Sequence, residues 1–71
     1  MENTVEILKY LRLYIKARHT ENQMISLTER GRVNICRLIG CTLLELDIAI
    51  TMLRVSKEIK VNGQVIVSVN I

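Results

Sequence analysis

Proline, phenylalanine and tryptophan are absent from this 71-residue chain, histidine occurs once, glycine three times, and two tyrosines are the only aromatics. Each scarcity excludes something. Without proline, low-complexity tracts or long glycine and serine runs, the sequence holds no linker and no disordered tail of note. With aromatics at 3% and hydrophobic residues at 49%, any core must be built from isoleucine, leucine and valine. No stretch reads as a signal peptide or is apolar for long enough to span a membrane, so a cytoplasmic, reducing setting is expected.

Other absences bear on chemistry. Cys36 and Cys41 fall inside the apolar pattern and are expected as two buried thiols; a disulfide between them, across a helix end, is the lesser alternative. His19 has no second histidine, cysteine or acid at ligand spacing, so it reads as the cationic end of a helix and no metal is expected. A glycine-rich phosphate loop, a nucleophile beside a base and a pocket with paired carboxylates are all missing. No enzyme and no cofactor are therefore expected.

So short a chain makes one domain, residues 1–71, and buries only a modest share of its surface. The aliphatic excess leaves surface for a partner, most simply a second copy of the chain. Ten lysines and arginines against seven acids give a net charge of +3 and an isoelectric point near 9.2, a balance that suits nucleic acid or another acidic surface.

Asn3 and Glu6 have capping-box spacing. Helical periodicity from residue 4 to about 19 then turns Ile7, Leu8, Leu11, Tyr14 and Ile15 toward a core. A second stripe of Tyr10, Leu13 and Ala17, bordered by Tyr14, exceeds what a monomer needs, so these four are expected at a dimer interface. The basic residues of that helix, Lys9, Arg12, Lys16, Arg18 and His19, are expected in solvent or paired with Glu2 and Glu6 at the dimer rim. Residues 20–23 and 28–32 read as loop, and within QMISLT a short third strand is expected near residues 24–27.

From about Arg32 the pattern is helical again, with Val33, Ile35, Cys36 and Ile39 on one side and Asn34 and Arg37 on the other. Gly40 supplies the left-handed residue that ends a helix. Thr42 and Glu45 form a second capping box, and Leu46, Ala49, Ile50 and Leu53 space out the buried stripe of a helix running to about residue 56 or 57. EIKVNGQVIVSVNI is a hairpin around Asn62 and Gly63. A two-residue turn would set Val65, Val67, Val69 and Ile71 on the face opposite Ile59 and Val61. A three-residue loop with a glycine bulge puts all six on one face and is the expected register.

Helix, short strand, helix, tight turn, helix and hairpin, with Gly40, Cys41 and Thr42 at the corner and Ala49 where two helices cross, resembles the winged helix-turn-helix DNA-binding superfamily over residues 33–67. The resemblance assigns no single family. It implies an α+β fold, three helices with a small antiparallel β-hairpin wing, in which the helix after the turn offers Leu43, Leu44, Glu45, Asp47, Ile48 and Thr51 to a major groove. Two features depart from the pattern. Lys57 stands where a glycine usually closes that helix, so the exit must differ or strain a lysine. The wing is short, with Lys60 near its tip and Asn62 and Gln64 beside it.

None of the six groove-facing residues is an Arg, Lys, Asn or Gln of the kind that reads base edges. Glu45 is explained by its cap, and Asp47 by the positive end of the helix dipole. Phosphate contacts are expected instead from Arg30, Arg32 and Arg37, with Thr28, Asn34 and Thr42 as uncharged partners and Lys57 and Lys60 beside the wing. The expectation is double-stranded DNA bound mainly through its backbone by a transcriptional regulator or accessory factor. Its candidate contacts are Arg30, Arg32, Asn34, Arg37, Thr42, Leu44, Asp47, Ile48, Thr51 and Lys60. The alternative is a module that docks a protein partner through exposed Leu38, Leu44 and Ile48.

Overall fold

The computed structural model describes residues 4–71. Asn3 of the first capping box and Glu2 of the expected rim pairing lie outside the described residues. The elements follow as α1 (Thr4–Thr20), α2 (Glu29–Ile39), α3 (Leu43–Val55), β1 (Ile59–Asn62) and β2 (Val65–Val69). Three helices followed by an antiparallel two-stranded hairpin make the α+β, winged helix-turn-helix layout.

The inner face of α1 is Ile7, Leu8, Leu11 and Ile15, with Tyr14 half-buried at its edge. These residues recur at helical spacing, so one stripe goes under and the rest stays wet. Ile35, Cys36 and Ile39 of α2 and Leu46, Ala49, Ile50 and Leu53 of α3 pack against it, joined by Ile25, Ile59 and Ile66. Burying each large aliphatic side chain contributes roughly 1.5–3 kcal/mol, which a small core without rings depends on throughout.

The start of α2 corrects the loop expected over residues 28–32. Thr28 is the N-cap, its hydroxyl accepting the Gly31 N–H at 3.1 Å, and the helix is under way from Glu29. Gly31, within the expected loop, is there for space: a methyl group at its Cα would collide with the backbone carbonyl of Ser26. The expected third strand is also reduced. Residues 24–27 contribute one antiparallel bridge, Ser26 to Val65, supported by Leu27 N–H to the Gln64 carbonyl at 2.7 Å and Ile66 N–H to the Ile25 carbonyl at 3.1 Å. The cap at Thr28 begins a helix before a strand can lengthen.

The corner between α2 and α3 forms as the sequence indicates. Gly40 adopts φ 84°, and its N–H and that of Cys41 both reach the Cys36 carbonyl, at 2.7 and 3.1 Å. Thr42 and Glu45 close the capping box in both directions, at 3.1 and 2.9 Å. At the far end of α3 the lysine strain is real: Lys57 sits at φ 62°, in the left-handed region that disfavours residues with a Cβ.

The hairpin departs from the expected three-residue loop. Asn62 pairs with Val65, leaving Gly63 and Gln64 as a two-residue turn, with Gly63 at φ 65° in its first central position. Parity is restored further along, where the register slips between Lys60 and Val61 and leaves Val67 unmatched. The buried set is therefore Ile59 and Ile66 with Val61 and Val69 packed beside them. Val67 is 56% exposed, Ile71 lies outside too, and Val65 is half-buried. The bulge lies in the strand and not at the turn, and it brings Ile66 to the core in place of Val67 and Ile71, so the six expected residues do not share one face.

Candidate nucleic-acid interface

The charges of α2 and α3 sort into paired and unpaired groups. Arg32 Nη1 donates to both oxygens of Asp47, at 2.9 and 3.0 Å, tying α2 to the second turn of α3. That pairing raises the Arg32 pKa, first through the hydrogen bond and then through the opposite charge. Arg32 and Asp47, expected as separate groups facing DNA, thus spend their charge on each other. The reason is the helix corner, which brings residues far apart in sequence side by side. Glu45 is held below its usual range by the Thr42 backbone N–H and hydroxyl. Both acids near the start of α3 have internal partners.

Arg30, Asn34 and Arg37 lie on the exposed side of α2 and line one hollow with Thr28, Glu29 and Val33. Neither arginine has an ion-pair partner among the described residues. A second cationic hollow lies where α3 runs into the hairpin, walled by Arg54, Lys57, Lys60, Ser68 and Asn70. Arg54 went unnoticed in the sequence because it stands alone in the last turn of α3. The left-handed exit at Lys57 and the returning β-strand gather it with Lys57 and Lys60.

The outward face of α3 is aliphatic. Leu44 is 70% and Val55 77% exposed, and Ile48 and Met52 are exposed between them. Ile48 lines a shallow hollow with Asp47, Thr51 and Met52, and the Thr51 hydroxyl is turned back onto the Asp47 carbonyl at 2.9 Å. Thr42 stays exposed at the corner with its hydroxyl accepting from Glu45 N–H. Leu38 is not part of this face: it lines a groove with Tyr10, Tyr14 and Ile39, between α1 and α2.

On α1, Tyr10, Leu13 and Ala17 are exposed, while Tyr14 is half-buried against the core. Arg12 was expected in solvent or at a dimer rim. Instead its Nε and Nη2 fork onto Glu58, at 2.8 and 3.1 Å, fastening α1 to the segment that enters β1. Glu58 is lowered in pKa first by Arg12 and then by the Ser56 hydroxyl, which donates at 2.7 Å. Cys36 and Cys41 are free thiols, the first buried and the second half-buried. Burial first, and the neighbouring Cys36 second, push Cys41 up to about 11 from an ordinary 9.0.

Among the described residues, no cluster of histidine, cysteine and acidic side chains is placed to hold a metal ion, and no helix is long and apolar enough to cross a membrane. Comparison of the chain with known protein families, with curated proteins and with solved structures finds no match.

Proposed function

We propose that this protein binds duplex DNA through backbone phosphates, as a small transcriptional regulator or accessory DNA-binding factor. One observation carries the reading: five cations without ionic partners among the described residues lie on α2 and at the junction of α3 with the hairpin, while of the acids of α3 Asp47 is paired with Arg32 and Glu45 is engaged by the Thr42 cap. Arg30, Arg37, Arg54, Lys57 and Lys60 hold phosphates, with Asn34 and Thr28 as uncharged contacts. Arg32 acts by cancelling Asp47, which would otherwise repel the backbone. Leu44, Ile48 and Thr51 meet the groove without hydrogen-bonding base edges, so discrimination between sequences is weak.

The outward face of α1, with Tyr10, Leu13 and Ala17, is the contact between two copies, and free thiols suit a reducing interior. Fluorescence anisotropy on a random duplex tests the binding. With about five phosphate contacts, affinity falls by roughly two to three orders of magnitude between about 50 and 200 mM salt. Salt-independent binding, or none at low salt, overturns the proposal. Sedimentation of wild type and Leu13→Glu tests the dimer, which the charged residue disperses.

A second reading rests on the aliphatic outward face of α3. Leu44, Ile48, Met52 and Val55 form the kind of exposed apolar stripe that docks a protein. A pull-down abolished by Leu44→Asp, with duplex affinity unchanged, favours that reading over DNA.

A further inference from the structure

The C-terminal half of α1, the segment leading to Ser26 and α2 enclose a hollow that duplex binding touches only at its rim. Tyr14, Met24 and Leu38 supply its apolar wall, and Arg18, Asn34 and Arg37 its polar one. Tyr14 and Leu38 also wall the adjoining groove with Tyr10 and Ile39, so the two form one track along α1 and α2, whose Tyr10 end borders the face proposed above as the contact between two copies. Leu38 is 71% exposed and adds apolar surface to the track.

The charge in this track is of one sign, since among the described residues no carboxylate lines either part. Arg18 is held in place: Nη2 donates to the Met24 carbonyl at 3.1 Å, and the guanidinium lies 5.6 Å from the centre of the Tyr14 ring. Its Nε, among the described residues, is buried without a hydrogen-bond partner. A guanidinium anchored through Nη2, beside a second arginine and an aliphatic wall, matches a carboxylate carried next to an apolar side chain.

We propose that this track is a docking site for an acidic, amphipathic segment of another protein, its aliphatic side chains against Tyr14 and Leu38 and its carboxylates on Arg18 and Arg37. An open, elongated track suits a chain segment better than a small molecule, which needs a cleft that covers most of its surface. Nucleic acid fits it less well, because a phosphate backbone would set charged oxygens against Met24, Tyr14 and Leu38.

The test is a titration of the isotopically labelled full chain, followed by NMR, with a capped amphipathic peptide of alternating leucine and aspartate pairs. A second peptide carries lysine in place of aspartate. The acidic peptide is expected to shift the signals of Tyr14, Arg18 and Leu38, and the basic one to leave them unchanged. Leu38→Asp and Arg18→Gln should each weaken the acidic peptide by about tenfold, the size of one lost charge-assisted or apolar anchor.

Leu38→Asp alters an exposed side chain and spares the core, so it remains informative should Arg18→Gln loosen the turn at Met24. The site is refuted by absence of binding, by equal binding of the basic peptide, by shifts confined to α3, or by full affinity in Leu38→Asp. Neither Arg18 nor Leu38 contacts the duplex in the proposal above. Loss of DNA binding in Arg30→Gln or Lys60→Gln therefore leaves this result standing, and loss of peptide binding in Arg18→Gln or Leu38→Asp leaves the duplex result standing; Asn34 and Arg37 belong to both surfaces.

Discussion

α2 and α3 are consecutive helices that bury the same kind of stripe and show solvent opposite faces. Beneath, each offers isoleucine, leucine or small apolar residues to the shared core. Outside, α2 carries Arg30, Asn34 and Arg37, whereas α3 carries Leu44, Ile48, Met52 and Val55. In this molecule the helix after the turn shows an aliphatic outer stripe with a single arginine, Arg54, in its last turn, and its predecessor bears two exposed arginines, unpaired among the described residues. The lesson is that a scaffold places a helix, while the residues on its free side decide what it can meet.

The sharpest way to break that comparison is to exchange inside for outside on α3 itself. Leu53→Ala opens a cavity under a side chain with no exposure and should cost about 2–5 kcal/mol in chemical denaturation. Leu44→Ala, on the same helix, should stay within about 0.5 kcal/mol. A large loss for Leu44→Ala would mean that the outer stripe is already covered in solution.

The charged face of α2 comes next. Replacing Arg30 and Arg37 together by Gln should lower the slope of log affinity against log salt by about 2, close to 0.9 for each phosphate lost. Arg32→Gln alone should change that slope less, because its charge is offset by Asp47. Asp47→Asn should act in reverse, releasing Arg32 and raising both affinity and slope. An Arg32 effect equal to that of Arg30 would show the internal pair opening on DNA.

The two helix ends differ more quietly. Gly40→Ala, at the end of α2, meets no steric neighbour but must hold a left-handed backbone, at a cost of about 1–2 kcal/mol in thermal or urea unfolding. Lys57→Gly, at the end of α3, relieves the same strain and should stabilise by up to about 1 kcal/mol while weakening duplex binding. Opposite shifts in stability from these two substitutions would confirm that the exits share one geometry with unequal residues.

Smallest is the titration of the ties between elements. Glu58 is held below its ordinary 4.5, so its contribution is complete above that pH and fades as acid takes pH through the lowered folded value. Glu58→Gln should remove that part of the acid dependence and cost under about 1 kcal/mol, since the pair is partly exposed. Cys41, raised to about 11, works at the other end: its neutral thiol favours the fold below about pH 9 and the benefit is lost as pH climbs toward 11. Alkylation of Cys41 near neutral pH should accordingly be slow, because the thiolate is the reactive form.

Much of the fold could be read in advance because its signals are local. The glycine at residue 40 and the Thr42 to Glu45 box lie within a single turn of chain, and a helical stripe repeats over a few residues. Local sterics and hydrogen bonding settle such features before tertiary contact matters. Even the strain at Lys57 follows from one residue standing where a left-handed backbone is required. Reading failed where two distant segments had to meet. Gly31 was mistaken for a loop residue because its reason is the Ser26 carbonyl, and the hairpin register was misjudged because the core, more than the turn, chose where to slip.

The candidate site shows the same division. The amino-acid order by itself determined a basic, ring-poor α+β chain, a helix corner at residues 40–42, and an α3 whose outer stripe from Leu44 to Thr51 holds no Arg, Lys, Asn or Gln, since composition and periodicity act within each segment. Only the packed molecule decided which charges remain available. It fastened Arg32 to Asp47 and Arg12 to Glu58, gathered Arg54 with Lys57 and Lys60, and turned Leu38 away from α3 toward Tyr14. Charges interact through space over a few ångströms, and that distance is set by how the helices cross and the ribbon returns.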